Sequence, residues 1–164
     1  MQANAKIDRA ALEAIAESTR RGLLLLVDKP GSTFNGFPRG ACGAASDILG
    51  RLIKEQLGVD GVYVSADDHP DLKKNQSHAW FEVDGFIIDL TYDQFPDTGL
   101  TGWVFDQGNE WHAKFAEQER RQGFCPPSGW QAYPLDGYAA AKSQSEQAGP
   151  GTLRMRWSPA KKPV

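Results

Sequence analysis

Cysteine is scarce in this chain: 164 residues carry only Cys42 and Cys125. Two thiols make one disulfide at most, so stability has to come from a packed core and not from a disulfide framework. No Cys-x-x-Cys or His-x-x-x-His spacing is present, so neither a metal site nor a cofactor is expected. Long apolar runs are also missing. Leu23 to Val27 is a short core run, far from the roughly 20 apolar residues that cross a bilayer. Charge of one sign is absent too, with 18 Lys and Arg against 21 Asp and Glu. Basic residues are scattered apart from doublets such as Arg20-Arg21 and Lys73-Lys74, so no nucleic acid and no membrane surface is expected as a partner. The N-terminus carries Lys6, Asp8 and Glu13 without an apolar segment, so no secretory signal is read and a cytoplasmic location with reduced thiols is expected. A protein exported by a signal-independent route would read the same way. No feature of the sequence sets an oligomeric state.

What is present suits one domain with a substantial core. Ala11, Leu12, Ile15, Ala16, Leu23 and Leu24 have helical spacing, which predicts a helix over 8–27 with Asp8 as its cap and Lys29-Pro30-Gly31-Ser32 as its end. Residues 33–39 form a loop rich in Gly, Asn and Pro. Ala45, Ile48, Leu49, Leu52, Ile53 and Leu57 then recur at three and four residues, predicting an amphipathic helix over 42–57 closed by Gly58. A strand is read at 61–65 and a polar loop at 66–76. Further on, a helix is expected over 111–121 and a Pro/Gly/aromatic loop over 123–134. A single domain is drawn at 1–138, leaving 139–164 as a loosely held tail in which Leu153 to Trp157 adds at most an edge strand.

The central segment is a hairpin. His78-Ala79-Trp80-Phe81-Glu82-Val83 and Phe86-Ile87-Ile88-Asp89-Leu90-Thr91 are β-rich runs joined by Asp84-Gly85, among the strongest two-residue hairpin signals. With that turn, Val83 pairs with Phe86, and strand alternation sorts the side chains. Ala79, Phe81, Val83, Phe86, Ile88 and Leu90 share one wholly apolar face. His78, Trp80, Glu82, Ile87, Asp89 and Thr91 share the other. Continued pairing sets His78 opposite Thr91 and makes Asp89 its diagonal neighbour, about 7–8 Å away between backbones and within side-chain reach. A carboxylate there orients the imidazole and stabilises its cation, leaving the second ring nitrogen for a nucleophile. That nucleophile is Cys42, at the start of its helix behind Gly40-Ala41 and before Gly43. A helix N-terminus favours the reactive thiolate, and its free amide can donate to an oxyanion. Asp93, of the same parity as Asp89, is a rival carboxylate but is expected in a loop.

Gly40-Ala41-Cys42 opening a helix, Ser77-His78-Ala79-Trp80 with Glu82 and Val83, and Asp89-Leu90-Thr91 on the next strand together resemble the transglutaminase-like branch of the papain-like cysteine peptidase superfamily. The match covers roughly residues 34–95. The resemblance implies an α+β fold, a papain-like core with the nucleophile helix packed on an antiparallel β-sheet. It also implies a Cys42–His78–Asp89 catalytic triad, a thioester intermediate and a peptide or protein substrate. The small size and the lack of flanking β-domains favour a hydrolase (peptidase, amidase or deamidase) over a calcium-dependent crosslinker. The alternatives are an acyltransferase with the same triad and an inactive protein-binding module. Gln94, Asn35 and Gln76 are candidates for the second oxyanion donor, and Trp80 and Trp103 are candidates for lining the substrate cleft. Surface positions are expected for Glu82, His69 and His112, and a loop position for Cys125.

Overall fold

The computed structural model describes residues 6–147. Helix α1 (Arg9–Leu24) begins where the Asp8 side chain accepts the Ala10 amide at 3.2 Å. Helix α2 (Cys42–Leu57) ends at Gly58, whose φ of +70° turns the chain left-handed and lets its amide bond the Lys54 carbonyl. Strands β1 (Val62–Asp67), β2 (His78–Val83), β3 (Phe86–Ile88), β4 (Val104–Asp106) and β5 (Glu117–Gln122) form one antiparallel sheet in the order β4-β3-β2-β1-β5. A one-turn helix, α3 (Glu110–Ala113), and a longer one, α4 (Leu135–Gln147), complete the described chain. The architecture is α+β.

The hairpin has the register that its turn demands. Asp84 and Gly85 both have positive φ, +49° and +83°, as a type I′ turn requires, and Val83, Glu82 and Phe81 pair with Phe86, Ile87 and Ile88. The ladder then stops. The expected Trp80–Asp89 and His78–Thr91 pairs are not part of it, while the Asp89 amide, facing β4, bonds the Trp103 carbonyl at 2.9 Å.

Both faces of the sheet are covered. Phe81, Val83, Phe86, Ile88 and Leu90 form one core with Leu12, Ile15, Ile48, Leu49, Leu52 and Ile53 of α1 and α2. Val64, Ala66, Trp80 and Ile87 form a second core with Tyr92, Phe95, Phe105, Trp111 and Phe115. Every residue of β2 is therefore buried. Helix α2 comes close to β2 because residue 50 has no side chain: a Cβ there would stand 2.5 Å from the Phe81 ring.

Two expectations are corrected here. The helix read over 111–121 is only α3, and 117–122 is a strand on the free edge of β1. Glu, Gln and Arg are good helix formers, but pairing with β1 overrides that weak local preference. A row of charged side chains is also what an outermost strand needs to resist pairing with other chains. The tail drawn from 139 is helical through Gln147, so the ordered domain extends beyond 138. Ala141 is fully buried against α1, where a Cβ on Gly22 would meet backbone atoms of Ala140 and Ala141 at 2.6 Å. Leu153 to Trp157 lies outside the described residues. Among the described residues no helix is long and apolar enough to cross a membrane.

Gly22 offers a test with opposed signs. In an isolated helix, Gly→Ala adds about 1 kcal/mol of helix stability. Here the methyl meets a backbone that cannot move aside without undocking α4, and overpacking costs roughly 1–3 kcal/mol. Gly22→Ala is expected to lower the urea midpoint and to expose α4 to limited proteolysis; a raised midpoint would contradict the α1–α4 contact.

Candidate functional site

The site lies where β2 begins and α2 begins. Helix α2 runs antiparallel to β1, so its N-terminus arrives over the end of the sheet at which β2 starts with His78. Asp89 follows β3 directly. A positive-φ turn, a three-residue ladder and a glycine-thinned helix contact thus bring three separate segments together.

His78 is 1% exposed and its Nε2 stands 2.7 Å from Asp89 Oδ2. The same oxygen receives a second imidazole, with His112 Nε2 at 2.8 Å. A carboxylate oxygen only accepts, so both histidines present Nε2–H to it. Asp89 Oδ1 accepts the Thr91 amide at 3.0 Å, so Asp89 is bonded at both oxygens while fully buried. His112 is itself oriented by Asn109, the cap of α3, whose Oδ1 lies 2.8 Å from His112 Nδ1 and 3.3 Å from the His112 amide. Phe95, Trp111 and Phe115 surround the His78 ring, with centroids at 5.1, 5.7 and 6.1 Å.

Burial alone would neutralise these charges. It works against the imidazolium of His78, yet the Asp89 carboxylate, by charge and hydrogen bond, and then Cys42 outweigh it and push His78 up to about 9. Burial likewise works against the Asp89 carboxylate, but His78 and His112 hold it well below the usual carboxylate range. His78 Nδ1 is buried and has no hydrogen-bond partner among the described residues. The group beside it is the thiol of Cys42, a half-buried residue at the first position of α2. Cys42, His78 and Asp89 thus neighbour one another in that order, with the two side chains behind the thiol fully buried.

Other expected positions change. Gln94 donates its Nε2–H to the Thr91 carbonyl, Asn35 donates to the Val27 carbonyl, and Gln76 accepts the Lys73 amide; each carboxamide closes its own loop. Trp80 is fully buried, its Nε1–H on Glu82 at 2.9 Å, so it is core and not a wall of a cleft at Cys42. It does face a cavity of about 230 Å³ that His112 and Asn109 also line, but neither Cys42 nor His78 does. Trp103 stacks under the Arg20 guanidinium at 4.1 Å. Asp93 pairs with Arg20 at 2.6 Å and not with His78.

Three residues expected at the surface are buried. Glu82 holds Trp80 and lies 3.3 Å from Arg120 Nη2. His69 accepts the Asp71 amide at Nδ1 and donates Nε2–H to the Trp111 carbonyl at 2.9 Å. His112 is the member of the buried His78–Asp89 cluster that sequence reasoning missed. Its signal was Asn109 three residues earlier, a helix cap that aims the histidine of the next turn. Among the described residues no group of three or more His, Cys, Asp or Glu is arranged to hold a metal ion.

Comparisons with protein-family models, with curated proteins and with solved structures return no match for this chain.

The paired shifts make stability depend on pH. His78 lies above its ordinary value, so its contribution is complete below about pH 6.5 and is lost as pH rises through about 9. Asp89 lies below its ordinary value, so its contribution is present above about pH 4 and is lost as pH falls below that. Asp89→Asn removes one partner of a buried pair, which costs about 3–5 kcal/mol. Urea unfolding is expected to show the largest deficit between about pH 4 and 6.5, shrinking as pH rises through 9. A deficit that does not vary with pH would mean that the pair is not ionic.

Proposed function

We propose that this chain is a cysteine-dependent amide hydrolase of the papain-like, transglutaminase-like type, with Cys42 as nucleophile, His78 as base and Asp89 as the group that orients His78. The observation that carries this reading is the state of the His78 ring. One nitrogen is fixed on a buried carboxylate, and the other has no partner among the described residues and lies beside the thiol of half-buried Cys42. A histidine kept only for packing would bond at both nitrogens, as His69 does.

The chemistry follows from that arrangement. His78 Nδ1 takes the thiol proton, and Asp89 stabilises the imidazolium that results. Cys42 Sγ bonds to the carbonyl carbon of a peptide or protein amide, and the carbonyl π pair moves to oxygen. As that oxyanion collapses, His78 gives its proton to the departing amine, leaving an acyl thioester. Water, deprotonated by His78, then attacks the thioester and regenerates the thiol. An amine in the place of water would make the same site an acyltransferase. His112 does not reach the reacting atoms; it is a positioning residue that fixes Asp89.

The test is alkylation of Cys42 by iodoacetamide across pH, read by intact mass in a Cys125→Ser background. Labelling well below pH 8, faster than a free thiol and slowed at least about tenfold by His78→Gln, is the expected result. An unactivated rate that is the same in both proteins would remove the catalytic reading. Release of more than one equivalent of 4-nitrophenolate from 4-nitrophenyl acetate with no amine present distinguishes hydrolysis from obligate transfer.

A further inference from the structure

An attacking thiolate needs two donors for the oxyanion that it creates, and Gln94 and Asn35 each commit an N–H to a backbone carbonyl, that of Thr91 and that of Val27. The Cys42 amide, free at the start of α2, is one donor. Tyr63 stands on β1 on the side that faces α2, paired with Phe81 on one flank and Arg121 on the other. Its ring lies 4.2 Å from the Arg121 guanidinium. Arg121 is bonded to Asp47 of α2, which also accepts the Cys125 amide at 2.9 Å, so the strand, the ring and the nucleophile helix are fastened together.

The Tyr63 hydroxyl reaches the turn of α2 that bears the thiol. A Cβ on Gly43 would stand 3.0 Å from Tyr63 Oη, so the glycine that follows the nucleophile leaves the space that the phenol occupies. Burial first, and then the charges of Cys42 and Asp47, push the phenol up to about 12. It therefore keeps its proton wherever Cys42 is a thiolate. A neutral O–H donor, held on an interior strand and set against the residue that follows the nucleophile, is what a preorganised oxyanion site requires.

We infer that Tyr63 is a catalytic residue, its hydroxyl donating with the Cys42 amide to the oxyanion of the tetrahedral intermediate. The inference rests on the thiol-hydrolase reading above and adds the residue that stabilises its transition state.

Two reagents that share the nucleophile but differ in oxyanion demand separate the two claims. Iodoacetamide reacts by displacement of iodide at carbon and forms no oxyanion. With 4-nitrophenyl acetate, the Cys42–carbon bond forms, the carbonyl pair moves to oxygen, and collapse expels 4-nitrophenolate to leave an acetyl thioester. Tyr63→Phe keeps the ring on Arg121 and removes only the hydroxyl. In the Cys125→Ser background, Tyr63→Phe is expected to alkylate within about twofold of its parent. It is expected to acylate at least about tenfold more slowly, since loss of an oxyanion donor costs up to roughly 10²–10³-fold. Unchanged acylation would overturn the role of Tyr63, and equal loss in both reactions would overturn it in favour of an effect on the thiol. If His78→Gln leaves alkylation at the parent rate, the thiol reading itself fails, and Tyr63 falls with it.

Discussion

One oxygen atom organises this protein. Asp89 Oδ2 takes an N–H from His78 and another from His112, both within 2.8 Å, with no exposure to water on any of the three side chains beyond 1%. A lone buried carboxylate costs many kcal/mol in lost hydration. Two imidazole donors and the Thr91 amide offset that cost only because the backbone delivers them to fixed positions. The aromatic layer of Phe95, Trp111 and Phe115 then excludes water and strengthens each bond. The arrangement carries information as well as energy. It selects one ring nitrogen of His78 for the carboxylate and leaves the other for sulfur.

The remaining structure serves that geometry from both sides of the sheet. On the helical side, Gly50 lets α2 settle onto Phe81, and Gly43 makes room for Tyr63, so Cys42 arrives at the sheet end at a fixed height. On the opposite side, His69 ties the 68–77 loop to the Trp111 carbonyl, and Asn109 caps the short helix that carries His112. Neither side makes the site alone. His78 accordingly opens a strand that has no exposed residue.

Much of this was legible in the residues. Asp84-Gly85 between β-rich runs defined the turn and register, and alternation set His78 and Asp89 on one face, which the 2.7 Å contact realises even though the ladder ends at Ile88. The spacing of Ala45, Ile48, Leu49, Leu52 and Ile53 marked α2 within its observed bounds. Long-range pairing was not legible. Glu117 to Gln122 reads as helix until β1 is known to need a neighbour, and the Ala-rich, weakly patterned α4 shows its purpose only against Gly22. Glu82 and His112 looked like surface residues because their partners, Trp80 with Arg120 and Asp89 with Asn109, depend on how the second layer folds over the sheet. Tyr63 was hidden for a related reason. Proximity in sequence drew attention to Gln94, Asn35 and Gln76, whereas the hydroxyl that meets the first turn of α2 comes from a strand with no such motif.

The most direct test of the shared carboxylate is a long-range ¹H–¹⁵N spectrum of the histidine rings near neutral pH. The account predicts that His78 and His112 both carry a proton at Nε2, in two downfield, slowly exchanging resonances that Asp89→Asn abolishes together. Alkylating Cys42 should then shift the Nδ1 signal of His78 and leave that of His112 in place. Loss of only one resonance in Asp89→Asn, or a His78 ring that titrates as a free imidazole and ignores Cys42, would contradict it.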